Sequence, residues 1–389
     1  MGFYHHYLAT ALKIIAVYNG DKPLEFHLKK YYSLNKKHGS KDRKVISDIC
    51  YSYFRAAQAF GKGLNEENII NCFFLTHQSE HPLLLQLKPG LNSRVIETVG
   101  EKLKYLGIEP QKIFPFFSLL SNDFKNNPYY FSFLNQPDVF LRIRPGKKTV
   151  VLQKLDENNI EFIQKDEECI ALKNATQLQN ILVADKEVII QDYSSQQVLK
   201  YLDGLPLENK KWKVWDCCSG SGGKSLLLYD KLKANIQLQV SDIRESILKN
   251  LSLRFGVAGV KAYKTFVADL TAENRPIVNE FFDIILCDVP CSGSGTWART
   301  PEQLFFFNEN NLAGFTQRQQ QILSHAISCL DSNGLLFYIT CSVFAAENEN
   351  IVQWALSKYN INLQQQQYFK GYLQNADNMF VAVFKMRPC

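Results

Sequence analysis

The sequence contains no apolar run long enough to cross a bilayer. A membrane helix needs about 20 consecutive, mostly apolar residues, and no stretch of this 389-residue chain approaches that length. Residues 1–10 also lack the basic start, apolar segment and small-residue cleavage site of a secretory leader. We therefore expect a cytoplasmic protein that has no membrane partner.

Paired cysteine motifs are missing as well. The ten cysteines include no C-x-x-C pair, and no histidines stand at zinc-finger distances from them. We therefore expect neither a disulfide framework nor a bound metal. Four cysteines are interpreted as buried core residues: Cys50, Cys72, Cys287 and Cys329. Others follow predicted strands, where a reduced thiol can do chemistry.

The excess of positive charge is small, and it lies in one segment. Residues 1–60 hold ten Lys and Arg against four Asp and Glu, which equals the whole net charge of +6. Lysines interleaved with aromatic residues are typical of a polyanion-binding surface, because cations displace counterions from phosphates and rings stack on bases. A solvated helical surface with Tyr31, Tyr51 and Phe54 in the core explains the same composition.

Three segments differ in their hydrophobic periodicity. Residues 1–130 repeat apolar side chains every three or four positions, which predicts a helical domain. Residues 138–203 predict a small α+β domain of β-α-β-β-α-β order, with helices over 150–158 and 175–181. From 204 to 389 strands and helices alternate, which predicts an α/β domain with a mostly parallel sheet.

The α/β segment contains the predicted strands of the larger sheet. These strands are placed at 214–215, 236–240, 262–266, 282–287 and 335–339, with a closing pair at 361–363 and 379–384. Since open α/β sheets bind ligands at the carboxyl ends of their strands, the residues that follow these strands are the candidates for a site.

A glycine-rich turn follows the first of these strands, ahead of a predicted helix over 225–232. The turn reads Asp216-Cys217-Cys218-Ser219-Gly220-Ser221-Gly222-Gly223-Lys224. Glycines let a ligand approach the backbone, although the spacing is neither that of a dinucleotide fingerprint nor that of a P-loop. A tight turn without a ligand accounts for the same glycines.

Two acids, Asp242 and Asp269, end the second and third strands. A carboxylate 20 residues after Gly222 can accept hydrogen bonds from both hydroxyls of a ribose, and the second acid can hold an adenine amino group. Either acid could instead be only a helix cap or a turn residue. Together with the glycine turn they favour a nucleoside without a pyrophosphate, which favours S-adenosylmethionine over NAD.

Two thiols and a carboxylate follow the fourth and fifth strands: Asp288, Cys291 and Cys341. Position 5 of a pyrimidine is a poor nucleophile, but a thiolate that adds to C6 converts the ring into an enamine that attacks at C5. Asp288 is the candidate for holding or protonating N3. The alternative interpretation places both cysteines in the core and makes Asp288 a turn residue.

These motifs resemble those of the RNA 5-methylcytosine methyltransferases of the RsmB/Nop/Sun group. The resemblance covers about residues 139–387 and rests on the turn at 216–224, the acids, the segment at 288–296 and Thr340-Cys-Ser-Val343 followed by 347–349. It implies a Rossmann-like methyltransferase domain, S-adenosylmethionine as methyl donor and a cytosine of RNA as acceptor.

The resemblance also implies a role for each residue that matches. It makes Cys341 the nucleophile, gives product release to Cys291, and counts Asp288 with them as catalytic. The implied cofactor contacts are Cys218, Ser219, Gly220, Ser221, Gly222, Gly223, Lys224, Asp242, Asp269 and Asp288. DNA cytosine methyltransferases use the Pro-Cys thiol as nucleophile and have no counterpart of Thr340-Cys-Ser, so DNA is the weaker interpretation.

The chain departs from the family pattern at several places. Ser219-Gly220-Ser221 replaces the commoner Ala-Ala-Pro, which should loosen the turn. Arg144 replaces an asparagine, and its role is open between RNA contact and surface charge. Residues 191–196 match a family segment that we interpret as structural support. Residues 1–130 are faintly similar to a NusB-like RNA-binding domain, and residues 138–203 are expected to be RRM-like.

The sequence thus predicts a monomeric enzyme that methylates C5 of a cytosine in structured RNA. The expected substrate is 16S ribosomal RNA. Three alternatives stay open: the same chemistry on transfer RNA, a non-catalytic RNA-binding factor in ribosome assembly, and a small-molecule methyltransferase.

Overall fold

The computed structural model of the chain describes residues 3–174, 176–206, 210–233, 235–272 and 280–387. Its backbone contacts divide the chain into two compact units, Met1–Gln136 with Thr296–Glu309, and Pro137–Gly295 with Asn310–Cys389. No helix in the described ranges is both long and apolar enough to span a membrane.

The first unit is helical, as predicted for residues 1–130. Its helices are α1 (Phe3–Val17), α2 (Leu24–Leu34), α3 (Ser40–Ala56), α4 (Glu66–Thr76), α5 (Pro82–Leu87), α6 (Pro89–Asn92), α7 (Val99–Tyr105), α8 (Asn127–Ser132) and, from the later segment, α13 (Pro301–Phe306). Along α3 the buried residues Ile46, Ile49 and Tyr53 recur at three- and four-residue spacing, so one face of the helix lies in the core.

The buried Arg55 of α3 holds residues 296–309 in the first unit. Its Nη1 donates to the carbonyl oxygens of Phe133 (3.2 Å), Asn135 (2.9 Å) and Ala298 (2.6 Å). Burial lowers the pKa of Arg55 to about 10. The domain bounds expected from the sequence place residues 296–309 in the α/β domain. Their position in the helical unit was therefore not predicted. The division into three domains stays a prediction.

A small antiparallel sheet begins the second unit. Its strands are β1 (Val139–Ile143), β2 (Ile163–Gln164), β3 (Cys169–Leu172) and β4 (Val188–Ile190), in the order β2-β3-β1-β4, with helix α9 (Lys148–Glu157) after β1. The predicted first helix of this region, residues 150–158, is therefore confirmed to within two residues at each end, and the region contains strands before and after this helix, as predicted.

The second helix predicted for this region is wrong. Residues 176–181 are not helical: turns occupy 179–181, and Ala175 lies outside the described residues. The side chains of Thr176 and Asn180 can compete with helical hydrogen bonds, and Asn180 has a φ of +69°. Because this helix is not formed, the description of the region as RRM-like stays a prediction.

The two central strands of the small sheet are buried on both faces. On one face Leu141 and Ile143 pack with Val151 and Leu155 of α9. The opposite face packs against other parts of the same unit, in a cluster of Phe140, Cys169, Ala171, Ala376 and Tyr193. These strands therefore present no open face on which bases could stack.

A seven-stranded mixed sheet forms the rest of the second unit. Its strands are β5 (Trp212–Asp216), β6 (Ile236–Asp242), β7 (Tyr263–Val267), β8 (Phe282–Asp288), β9 (Leu330–Thr340), β10 (Ile361–Phe369) and β11 (Met379–Met386). The order is β10-β11-β9-β8-β5-β6-β7. Pairing is parallel from β9 through β7 and antiparallel for β10, β11 and β9. This confirms the predicted α/β, Rossmann-like fold.

Helices cover both faces of this sheet. They are α11 (Gly223–Lys231), α12 (Glu245–Ala258), α14 (Leu312–Ser328) and α15 (Glu349–Lys358), whereas the short helix α10 (Tyr193–Gln197) lies against β1 of the small sheet. Successive strand residues point to opposite faces, so Val214 packs with the cluster of α11 and α12, whereas Trp215 packs with that of α14 and α15. The parallel strands then end at one common edge, where the glycine turn, the acids and the thiols follow.

Arg144 is an internal brace, so neither of the roles left open for it is correct. Its Nη2 donates to Oδ1 of Asp230 on α11 (2.7 Å), and its Nη1 donates to the carbonyl oxygen of Ala258 at the end of α12 (2.6 Å). Arg142 binds the other oxygen of Asp230 (2.6 Å) and also donates to Gln191. The contact with Gln191 confirms that residues 191–196 give structural support.

Candidate active site

The carboxyl ends of the parallel strands surround a cavity of about 500 Å³. Five residues singled out in the sequence line it: Cys218, Gly220, Asp242, Asp269 and Asp288. The lining also contains residues that the sequence did not indicate, among them Arg244, Thr271, Arg318 and Ile322. The volume lies within the range of small-molecule sites, roughly 300–1,000 Å³.

The glycine turn is shaped by close contacts of its own backbone. The N–H of Gly220 donates to Oδ2 of Asp242 (3.0 Å). Gly222 has a φ of +82°, and a Cβ there would lie 2.7 Å from the ring of Phe255. Only glycine fits that position, because a side chain would be both strained and in collision. Ser219 instead turns inward, and its Oγ donates to the carbonyl oxygen of Ser241 (3.1 Å).

Lys224 and Asp288 form an ion pair, with Nζ 2.6 Å from Oδ2. Burial lowers the pKa of Lys224, but the negative charge of Asp288 outweighs it and the net shift is upward. Lys224 also interacts electrostatically with Cys341. A cation near a thiol favours the thiolate. The family resemblance implied only a cofactor contact for Lys224. Its ion pair with Asp288 and its electrostatic interaction with Cys341 were not predicted.

Asp242 is nearly buried and binds a neighbouring arginine. The backbone N–H and Nε of Arg244 donate to its Oδ1 at 2.9 and 3.0 Å. Burial raises the pKa of Asp242, but these hydrogen bonds outweigh burial and lower the pKa overall. The carboxyl group is therefore ionised and able to accept hydrogen bonds.

Asp269 has the turn role that was weighed as an alternative, and it also lines the cavity. Its Oδ1 accepts from the hydroxyl of Thr271 (2.6 Å) and from the backbone N–H of the same residue (2.9 Å). The hydroxyl is the larger cause of the lowered pKa of Asp269. The contact of either acid with a nucleoside stays a prediction.

The thiols of Cys291 and Cys341 lie side by side, with their Sγ atoms 3.4 Å apart. Both residues are half-buried, so the alternative that they are core residues is wrong, whereas the four cysteines assigned to the core are buried. The hydrogen bond to Cys341, followed by burial, raises the pKa of Cys291 well above its usual value. The raised pKa of Cys291 favours this thiol as the donor of the hydrogen bond, with the sulfur of Cys341 as the acceptor.

The buried carboxylate of Glu347 joins the two cysteine loops. Its Oε1 accepts from the backbone N–H of Ser292 (2.8 Å) and from Nε2 of Gln319 (2.9 Å). Its Oε2 accepts from the hydroxyls of Ser292 (2.5 Å) and Ser342 (2.6 Å). Each serine directly follows one of the two cysteines. Glu347 therefore fixes the distance between the thiols, a role that the sequence did not assign.

Local spacing could have revealed some of the missed residues. Arg244 and Thr271 each stand two positions after a strand-end acid, which is the spacing of a turn stabilised by an aspartate side chain. Gln319 and Arg318 come from α14, which no spacing relates to the strand ends.

In the part of the chain that the structure describes, no group of three or more His, Cys, Asp or Glu residues could hold a metal ion.

Residues 204–385, which contain the whole cavity, match the family described as 16S rRNA methyltransferase RsmB/F. We refer to this matched stretch, which is slightly less than half of the chain, as the RsmB/F domain. This agrees with the family predicted from the cysteine and glycine motifs. The RsmB/F domain starts at the bound expected for the third domain and ends four residues before residue 389.

The names of the curated relatives of the RsmB/F domain refer to different RNA substrates. The chain is 30% identical to the tRNA (cytosine(72)-C(5))-methyltransferase NSUN6 of Homo sapiens over 188 residues, which cover 46% of this chain and 39% of that protein. It is 31% identical to the ribosomal RNA small subunit methyltransferase B of Xylella fastidiosa over 172 residues, or 44% and 39%. The chain thus spans less than half the length of these relatives.

Two solved structures share the fold of the chain. The structure titled PH0851 superposes with a TM-score of 0.70 at 17% identity and covers 97% of this chain and 98% of its own. The structure of NSun6 from Pyrococcus horikoshii with SFG gives a TM-score of 0.62 at 13% identity, with coverage of 71% and 97%. At these identities the two structures show a shared fold alone.

The raised pKa of Asp216 predicts a pH dependence of stability. Burial raises it from 3.8 to about 7, so the folded state keeps a proton that the unfolded state loses near pH 4. This stabilisation is complete below pH 4 and is lost as the pH rises to about 7. In urea titrations we expect the free energy of unfolding of the parent to fall over this range, relative to Asp216→Asn, by up to about 4 kcal/mol. Parallel pH profiles would contradict the assignment.

The raised pKa of Cys291 predicts that the two thiols differ in reactivity. At about pH 8 iodoacetamide should alkylate Cys341 before Cys291, because thiolates react and thiols do not. Cys341→Ala should speed the alkylation of Cys291, since the hydrogen bond that keeps it protonated is gone. Peptide mapping by mass spectrometry reads both rates, and Cys291→Ala is the matched control. Faster alkylation of Cys291 than of Cys341 in the parent would contradict the raised pKa of Cys291.

Proposed function

We propose that the chain is an S-adenosylmethionine-dependent RNA (cytosine-C5) methyltransferase that bonds Cys341 to C6 of the target base. The observation that carries this proposal is the pair of thiols 3.4 Å apart, on loops that leave adjacent strands beside a cavity rich in acids. The match of residues 204–385 to the RsmB/F family and the names of the curated relatives support it.

The cavity fits the proposed methyl donor. Its volume suits a nucleoside with a short side chain, and Asp242 and Asp269 supply ionised acceptors for ribose hydroxyls and an adenine amino group. Cys218, Gly220 and Asp288 would hold the rest of the molecule. When bound, S-adenosylmethionine supplies an electrophilic methyl group. SFG, which accompanies one structural relative, is an analogue of this donor.

The first chemical step belongs to Cys341. Its sulfur adds to C6, and the electrons of the C5–C6 double bond shift to form a C4–C5 double bond, with the negative charge on N3. The ring is then an enamine, which makes C5 nucleophilic. The ring takes up a proton or a hydrogen bond at N3. We assign this to the Lys224–Asp288 ion pair, because its ammonium carries the mobile protons and its carboxylate lines the cavity.

The second step belongs to Cys291. Once the sulfur of Cys341 is bonded to carbon it carries no negative charge, so the largest cause of the raised pKa of Cys291 disappears. Cys291 can then lose its proton to solvent and, once C5 carries the methyl group, act as the base that takes the C5 proton. The C5–C6 double bond re-forms, the C6–S bond breaks, and Cys341 leaves as a thiolate. Adduct formation therefore switches on the thiol that ends it.

The substrate is proposed to be structured RNA, with 16S ribosomal RNA first and transfer RNA second. The target base must leave its stack to reach the thiols, which favours loops or partly unfolded RNA. Eight lysines of residues 1–60 are exposed: Lys13, Lys22, Lys29, Lys30, Lys36, Lys37, Lys41 and Lys44. We propose that this NusB-like helical region docks RNA through its phosphates.

The remaining features of the proposal follow from the sequence. We keep three domains at 1–130, 138–203 and 204–389, a monomeric state, no metal and a cytoplasmic location.

The rival function, a non-catalytic assembly factor, predicts that the protein acts without either thiol. The test of substrate is incubation of total RNA from undermodified cells with labelled S-adenosylmethionine, followed by nucleoside analysis and mapping. Label in 16S ribosomal RNA supports the first substrate, label in transfer RNA selects the second, and no 5-methylcytosine overturns the proposal.

Removal of the second thiol should trap the intermediate. Cys291→Ala should accumulate a covalent protein–RNA adduct through Cys341, because no base remains to take the C5 proton. Denaturing gel electrophoresis detects the adduct, and peptide mapping locates it. Cys341→Ala is the matched control and should give none. An adduct in Cys341→Ala but not in Cys291→Ala would exchange the roles of the two thiols.

A further inference from the structure

Arg254 of α12 links the small sheet to the glycine turn. Its Nη1 donates to the carbonyl oxygen of Ser221 (2.8 Å) and contacts the hydroxyl of the same residue (3.0 Å). Its Nε and Nη2 donate to the carboxylate of Asp185, at 3.0 and 2.7 Å. Asp185 lies in the turn that leads into β4 of the small sheet. One guanidinium group therefore holds two segments that are far apart in sequence.

The small sheet also holds the other end of α11. Arg142 on β1 and Arg144 just after it bind the two oxygens of Asp230, near the end of this helix. Asp230 and both arginines are nearly buried. Helix α11 starts directly after the glycine turn and carries Lys224. The small sheet therefore holds the C-terminal end of α11 through Asp230, and Arg254 holds the turn that precedes its N-terminal end.

The turn needs such a support at Ser221. Gly220 and Gly222, which flank it, have φ angles of +50° and +82°, and glycine loses more conformational freedom on ordering than any other residue. A proline at 221, as the family pattern has it, would restrict the backbone by its ring. Serine does not, so the expected loosening of the turn is offset by the hydrogen bonds from Arg254.

We propose that Arg254 and Asp185 are positioning residues for the methyl donor, and that the small sheet acts as a brace for the donor site. This rests on the proposed function. Arg254 binds Ser221, while the adjacent Gly220 lines the cavity. The arginine therefore acts through the turn, by holding it in the conformation that receives the donor and sparing the donor the cost of ordering it.

The test uses Arg254→Gln in the full chain, with Arg254→Lys and Asp185→Asn beside it. Glutamine removes the charge and the fork. Lysine keeps the charge, but one ammonium cannot reproduce the paired bonds to Asp185 together with those to Ser221. Asparagine tolerates the positive φ of Asp185 (+62°). Lys154→Gln is the matched control, because it breaks the ion pair with Glu187, two residues from Asp185, and leaves the contacts of Arg254 with Asp185 and Ser221 in place.

Two readouts separate the brace from the proposed function. Hydrogen exchange of residues 218–224 without any ligand reports the order of the turn. Calorimetric titration with S-adenosylmethionine reports its affinity. For Arg254→Gln we expect faster exchange in the turn and about tenfold weaker donor binding, with a smaller loss of rate at saturating donor. Arg254→Lys should recover part of the affinity, Asp185→Asn should lose part of it, and Lys154→Gln should match the parent.

The outcomes are distinct. Unchanged exchange and unchanged affinity in both Arg254→Gln and Asp185→Asn would overturn the brace. An equal loss of affinity in Lys154→Gln would also overturn it, because the effect would then be general destabilisation. If the parent bound no S-adenosylmethionine, the proposed function would fail, while the exchange of the turn would still decide whether Arg254 orders it. If Arg254→Gln does not fold, Asp185→Asn carries the same comparison.

Discussion

The parallel pairing of β8 with β9 is the constraint on which the site depends. It sets Asp288 beside Ile339, so the loops that follow both strands leave the sheet at the same edge. Glu347 then ties the loops together through Ser292 and Ser342, and the N–H of Gly295 donates to the carbonyl oxygen of Cys341 (2.8 Å). The distance between the two thiols is therefore fixed by backbone pairing and a buried carboxylate.

In the proposed reaction, two like groups at this distance take different roles because their surroundings differ. The hydrogen bond keeps Cys291 protonated, while Lys224 places a positive charge near Cys341. In the proposed mechanism, bonding of Cys341 to carbon removes this hydrogen-bond acceptor and so lowers the pKa of Cys291. The same contact would then favour Cys341 as the nucleophile before the adduct forms and free Cys291 to act as a base after it.

The sequence predicted what depends on short-range patterns. Strand periodicity located all five parallel strands, and their ends located the acids and thiols. It could not locate contacts between distant positions: Arg254 with Asp185, Arg144 with Asp230, or Arg55 with Ala298. It also misread 175–181, because the few apolar residues there match a helical spacing while the polar ones favour turns. Long-range ion pairs leave no periodic signal.

The most direct test of the central claim uses RNA that contains 5-fluorocytidine. A fluorine at C5 cannot be removed as a proton, so Cys291 cannot complete the reaction and the adduct should persist in the unaltered protein. With S-adenosylmethionine present, we predict one covalent product, in which mass spectrometry finds the modified nucleotide on the peptide that contains Cys341. A stable product on Cys291, or none with an RNA that is methylated in its ordinary form, would contradict the account.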